Sequence, residues 1–223
     1  MNKKERVFRN AARYLGYQKK ALDSDALELL DQAYDELHAS IKPMHILREY
    51  SVKVDGDEFT FGDIAPIISP NLAKLFCGAA KGYGMLATLG APLDMRIKRL
   101  MITSPALGAA LSSCASAYID EYIDEFLAEL DEKLAADGLT LSPRFSPGYG
   151  DMPLSYQKPL LAVLEARRIG VALTDGFLML PEKSVSAVVA VKEKSLAETC
   201  KEEEGESHRC ESCSLTTCAY RKE

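Results

Sequence analysis

The sequence predicts an α+β protein: an antiparallel twisted sheet covered by helices, with one long helix over about residues 104–136. Three observations carry that prediction. A period-two run from His45 to Val54 ends at Asp55-Gly56, a strong hairpin signal, with residues 58–61 as the returning strand. Ser104-Pro105 opens a long helical pattern that Gly138 stops. Short apolar segments at 169–174, 177–180 and 185–191 are parted by tight turns, which implies antiparallel pairing and not a doubly wound sheet.

Taken in order, residues 3–15 and 25–39 read as helices. Asp25 with Glu28 three positions later has the form of a capping box, and Leu27, Leu30, Tyr34 and Leu37 fall at helical spacing. In the strand that follows, Ile46, Arg48, Tyr50, Val52 and Val54 share one face. Ser69-Pro70 has the form of an N-cap followed by proline at the first helical position. Gly78, Gly82, Gly84 and Gly90 match neither G-x-G-x-x-G nor a P-loop, so this stretch predicts a strand that lets backbones approach closely and not a phosphate cradle. The long helix, roughly 50 Å from its rise per residue, carries an early apolar stripe at Leu107, Leu111, Cys114 and Tyr118. Further along, the stripe drifts to Ile123, Phe126, Leu127 and Leu130. Glu121, seven residues after Cys114, stays close to the early stripe and needs a partner, a ligand or water. A helix over 155–168, capped by Ser155, leads into the terminal strands, with Thr174-Asp-Gly176 and Pro181-Glu-Lys183 as their turns. Helices are expected over one face of this sheet.

A chain of 223 residues, 47% hydrophobic and 27% charged, fits a soluble globular protein with a real core. A net charge of -6 with scattered basic residues argues against nucleic acid as a partner, because phosphate neutralisation needs a basic surface. No apolar run approaches the ~20 residues that span a bilayer, and no apolar segment follows the positive N-terminus as in a secretory signal. A cytoplasmic location and no membrane contact are therefore expected. No Ser/His/Asp grouping suggests a hydrolase, and His38 and His45 read as surface or strand residues.

The stretch Arg144-Phe-Ser-Pro-Gly-Tyr-Gly150 builds neither helix nor strand. Proline and glycine shape it as a rigid loop, and an arginine at its mouth offers a planar fork of donors to a carboxylate. Downstream comes Leu173-Thr-Asp-Gly-Phe-Leu-Met-Leu-Pro-Glu-Lys-Ser-Val-Ser186. The order R-x-x-x-G-Y, a helix, then L-T-x-x-F-x-M-x-P-x-x-S-V-S resembles the reactivation (activation) domain of cobalamin-dependent methionine synthase. The motifs fall within about residues 139–191, and the chain resembles a free-standing version of that domain.

The resemblance implies binding of S-adenosylmethionine (AdoMet) and reductive methylation of oxidised cob(II)alamin carried by a separate methionine synthase or corrinoid protein. This would make the chain an accessory component of a methyltransferase system in methionine biosynthesis. Its partners would be a corrinoid-binding module and a flavodoxin or ferredoxin-type electron donor. Arg144 and Tyr149 match the family's R-x-x-x-G-Y, and Glu121 matches a glutamate on the helix before that loop. Arg144 would hold the AdoMet carboxylate, Glu121 the amine, and the backbone of Pro147, Gly148 and Tyr149 the adenine or ribose. The family's longer aromatic segment after S-V-S is replaced here by an acidic stretch. That departure keeps a second reading in view, a non-catalytic AdoMet-sensing or metal-handling module.

The domain is expected to span 1–191, with an acidic linker at 192–207 that includes Glu202-Glu-Glu-Gly-Glu206. A cysteine-rich tail at 208–223 follows. Of the six cysteines, Cys77 and Cys114 read as core residues. Cys210, Cys213 and Cys218, with His208 or Cys200 as fourth ligand, have the number and type of groups for zinc or for an iron–sulfur cluster.

Overall fold

The computed structural model describes residues 1–17 and 22–195. Helix α1 (Lys3–Tyr14) starts at a capping box in which Asn2 Oδ1 accepts from Glu5 N and the Glu5 carboxylate accepts from Asn2 N. Helix α2 (Ser24–Ser40) is capped by Asp23, whose carboxylate accepts from Ala26 N at 2.8 Å. The expected Asp25–Glu28 box is therefore displaced: Asp25 lies inside the first turn.

Strand β1 (Met44–Asp55) pairs with β2 (Glu58–Phe61) through the Asp55↔Glu58 hairpin that Asp55-Gly56 announces. Ile46, Tyr50 and Val52 turn to one shared core, as the alternation requires. After β3 (Ile67–Ile68), Ser69 caps α3 (Pro70–Leu75) by accepting from Leu72 N at 3.1 Å. Strand β4 (Lys81–Thr88) is the glycine-marked strand. Helices α4 (Ala91–Thr103) and α5 (Pro105–Ala135) follow, the latter 31 residues and about 46 Å long. Strand β5 (Leu139–Leu141) returns against α5, where Asp131 Oδ1 accepts from Leu141 N at 2.7 Å.

The helix expected over 155–168 is broken. A 3-10 turn (Leu154–Tyr156) precedes α6 (Gln157–Val163), and a second 3-10 turn covers Ala166–Ile169. Val163 C=O is engaged from outside the helix, accepting from Tyr50 Oη at 2.8 Å and Arg48 Nη1 at 3.1 Å. Glu165 then adopts φ +55°, and its carboxylate pairs with Arg48. Strands β6 (Ala172–Leu173) and β7 (Met179–Leu180) form a separate two-stranded ribbon, while β8 (Ser184–Glu193) enters the main sheet. Pro181-Glu-Lys183 thus does not close a hairpin between β7 and β8. It crosses from one sheet to the other, held by Glu182 N to Asp94 Oδ2 at 2.7 Å and Leu89 N to Lys183 O at 3.0 Å.

The main sheet has the order β3-β2-β1-β4-β8-β5, and its pairings are antiparallel. Helices cover both faces of it, not one. Met85, Ala87 and Ala187 pack with α1, α2, α4 and α5, whereas Leu86, Val188 and Ala190 pack with α3, α6 and the aromatic cluster Phe59, Phe61 and Phe76. Cys114 is buried in the first core, where desolvation pushes its thiol up to about 12, but Cys77 is exposed at the end of α3. No helix among the described residues is long and apolar enough to cross a membrane.

Burial on both faces explains the glycines of β4. A Cβ at Gly82 would lie 2.6 Å from both the Phe76 ring and Val189 O, and one of these is backbone. Gly82→Ala is expected to destabilise the fold by about 3 kcal/mol, the upper end for overpacking, as a lowered midpoint in urea denaturation.

Candidate functional site

The loop after β5 is built before any ligand reaches it. Phe145 forms an isolated bridge to Val188 of β8, with both backbone bonds at 2.9 Å. Asp151 anchors the far end: its carboxylate accepts from Ser69 Oγ and from Asn71 N, the latter at 2.9 Å. Gly150 passes Asn71 so closely, at φ +51°, that a Cβ would meet Asn71 Nδ2 at 2.6 Å. Inside the loop, Gly148 N donates to Met152 O and Tyr149 N to Ser146 O. The main-chain donors expected to face a ligand at Gly148 and Tyr149 are therefore spent on the loop itself.

Between this loop, α6, the β6–β7 turn and the start of β8 lies a cavity of 840 Å³. Its size suits a small-molecule ligand, for which ~300–1,000 Å³ is usual. Arg144, Pro147 and Tyr149 line it, whereas Gly148, at φ +90°, is not among the lining residues. Apolar walls come from Phe177, Met179 and Leu180. Phe177 holds φ +61°, a left-handed backbone that costs a non-glycine residue of order 1 kcal/mol or more. Tyr149, Leu154, Leu178 and Leu180 are exposed around the mouth.

At the charged end, Arg144 Nη2 donates to Asp120 Oδ1 at 2.6 Å, and Nη1 lies 3.5 Å from Asp124 Oδ1. Nη1 is buried and has no hydrogen-bond partner. A guanidinium with one arm fixed and one arm unsatisfied is poised for a second carboxylate. Asp120 also lines the cavity and is the acid placed to meet an ammonium group.

Glu121, the acid singled out in the sequence, is elsewhere. It is 9% exposed on the buried stripe of α5, and Arg6 Nε of α1 donates to its carboxylate at 2.5 Å. One residue is a 100° turn of a helix, so neighbouring acids at 120 and 121 cannot share a face. Asp120 and Asp124, four apart, do share one, and Arg144 finds both.

Gln157, which lines the cavity, and Lys183, whose neighbours in the chain line it, carried no signal as ligands. Gln157 opens α6, is 5% exposed, and its Oε1 accepts from Ser186 Oγ at 3.0 Å. Lys183, beside the lining residues Glu182 and Ser184, donates to Ser116 Oγ at 2.9 Å, and burial pushes its ammonium pKa down. The metal ligands expected at Cys200, His208, Cys210, Cys213 and Cys218 lie outside the described residues. Among the described residues no group of three or more His, Cys, Asp or Glu could hold a metal ion.

The two acids separate cleanly by experiment. Asp120→Asn is expected to weaken an amino-acid-bearing ligand about tenfold in calorimetry, because a charged hydrogen-bond partner of its ammonium is lost. Glu121→Gln should lower the thermal midpoint and leave that affinity unchanged, because it breaks only the α1–α5 pair.

No family model matches the chain, and no curated protein matches it. Among solved structures, it superposes on the crystal structure of a MetH reactivation domain bound to AdoHcy with a TM-score of 0.62. The two share 14% identity over 84% of this chain and 76% of that one. At that identity the likeness establishes the fold, and it bears out the activation-domain-like architecture expected from the sequence.

Proposed function

We propose that the chain binds AdoMet in the cavity beside Arg144 and presents its methyl group to oxidised cob(II)alamin on a separate methionine synthase or related corrinoid protein. The observation that carries this reading is the Arg144 site itself: a buried, unsatisfied Nη1 next to the ammonium-seeking Asp120, at one end of an apolar slot. These are the features that a zwitterionic amino acid joined to a nucleoside requires. A structural neighbour that holds AdoHcy, the demethylated form of AdoMet, supports it.

In the reaction, the methyl group moves as a cation equivalent while the S–C bond pair stays on sulfur, leaving the thioether. An external one-electron donor of flavodoxin or ferredoxin type supplies the electron that cob(II)alamin lacks. The protein's part is to bind, orient and exclude water. The exposed apolar residues around the cavity mouth, Tyr149, Leu154, Leu178 and Leu180, suit a partner surface that covers the site only transiently.

Arg144→Ala removes the carboxylate's charged partner, a change worth about 2–5 kcal/mol in an interface pair, so affinity for AdoMet should fall by about 30-fold or more. Calorimetry with the wild type and the variant tests this, and equal binding by the two would refute the site. Reactivation is expected in trans: the chain, AdoMet and a one-electron reductant should convert cob(II)alamin on a partner synthase to methylcobalamin, read in the absorption spectrum. AdoMet binding without that conversion, against each corrinoid protein of the same cell, would favour the sensing role.

A further inference from the structure

A second cavity adjoins the first, and the two share walls. It measures 550 Å³, within the ~300–1,000 Å³ usual for small ligands. On α6, Gln157 lines the first cavity and its neighbour Lys158 lines the second. Lys158, Leu161 and Ala162 recur at helical spacing along one side of it. The β6–β7 ribbon is divided in the same way. Ala172 and Leu173 of β6 line the second cavity, whereas Met179 and Leu180 of β7, with Thr174 and Phe177 of the turn, line the first.

The floor of the second cavity is apolar and its rim is cationic. Leu161, Ala166 and Val171 are buried, while Lys158, Arg167 and Arg168 are exposed. Arg168 is committed to Glu165, whose carboxylate also takes Arg48. Lys158 and Arg167 make no hydrogen bond or ion pair among the described residues. The 3-10 turn that carries Arg167 is held between two left-handed residues, Glu165 at φ +55° and Gly170 at φ +72°. At Glu165, which is not a glycine, that backbone is strained, and such strain persists where the surroundings over-determine it. The backbone donors of the turn are spent within it: Arg168 N on Glu165 O, Gly170 N on Arg167 O and Val171 N on Ala166 O. A ligand here is therefore met by side chains.

Two uncommitted cations over an apolar floor select one ligand chemistry. The chain carries a net charge of -6, yet cations gather at this rim, and low-dielectric walls strengthen their pull on an anion. A bare anion would gain nothing from the floor, and a neutral apolar body would gain nothing from the cations. We infer that this cavity is a second ligand site, for a small molecule with an apolar body and an anionic head, and that its occupancy is felt in the first cavity through the β6–β7 ribbon. Lys158 and Arg167 hold the head, and Leu161 and Val171 hold the body. Each strand of the ribbon has two residues, so a ligand that presses on Leu173 acts on a thin wall whose other side is the first cavity. The inference goes beyond the AdoMet reading and does not depend on which molecule fills the first cavity.

The test uses the intact chain and two fluorescent probes, 8-anilinonaphthalene-1-sulfonate and its uncharged relative N-phenyl-1-naphthylamine. The sulfonate should bind about tenfold or more tighter than the neutral probe. Lys158→Glu/Arg167→Glu, at two exposed positions, should weaken the sulfonate by about tenfold or more and leave the thermal midpoint unchanged. If that variant does not fold, Lys158→Gln/Arg167→Gln should give the same ordering. Arg144→Ala should leave sulfonate binding as it is. Octyl phosphate and octanoate, as competitors, tell a phosphate head from a carboxylate head. Equal binding of the two probes, equal binding by wild type and rim variant, loss of binding in Arg144→Ala, or displacement by neither competitor would overturn the site. Hydrogen exchange reads the coupling. The Thr174 and Phe177 amides, bonded to Leu178 O and Thr174 O, should exchange more slowly when the sulfonate is bound to the wild type, and not in the rim variant. Exchange that the bound sulfonate leaves unchanged would overturn the communication between the cavities.

Discussion

The structure depends on burying both faces of its two central strands. Every residue from Met85 to Thr88 and from Ser186 to Lys192 is buried, because α1, α2, α4 and α5 lie over one face while α3, α6 and the Phe59–Phe61–Phe76 cluster lie over the other. Strands enclosed in this way have no room to adjust. Gly82 and Gly84 sit where rings from the second core press against the sheet, and any side chain there would have to displace a ring or a carbonyl. Stability and the position of the site are therefore one problem: the strand that fills the core, β8, is also the strand whose outer edge forms the wall of the cavity.

Fixing the loop at 144–150 follows from the same arrangement. It bonds to β8 through Phe145, to α3 through Asp151 and to α5 through Arg144, three elements already immobilised by the cores. The loop has few choices left, and its two internal N–H bonds at Gly148 and Tyr149 complete the constraint. A site held this way is largely formed before binding, which lowers the ordering cost that a ligand must offset. Among the described residues, Arg144 Nη1 is the buried side-chain atom at the cavity that is left without a hydrogen-bond partner.

Charges are arranged with the same separation of roles. α5 carries acids around its middle, and they divide among several partners. Glu121 goes inward to Arg6 and fastens α1, Asp120 and Asp124 go to Arg144, and Asp131 closes β5 back onto the helix. A single helix thus organises structural and cavity-side carboxylates by angular position alone. The residue step of 100° is the device that keeps them apart.

Much of this was legible in the sequence, and the reason is local physics. Asp55-Gly56 dictates a hairpin, Ser69-Pro70 and Ser104-Pro105 start helices, the β4 glycines mark close backbone approach, and R-x-x-x-G-Y marks a shaped loop with an arginine at its mouth. Each depends on a few neighbouring residues and survives any tertiary context. The rest waited for the fold, because it depends on which distant groups compete. Val163 C=O, claimed by Tyr50 and Arg48, broke a helix whose own sequence would have continued. Asp94 and Leu89 drew Pro181-Glu-Lys183 across to the main sheet and undid an apparent hairpin. Arg6, more than a hundred residues away, decided that Glu121 is structural and left Asp120 to the cavity.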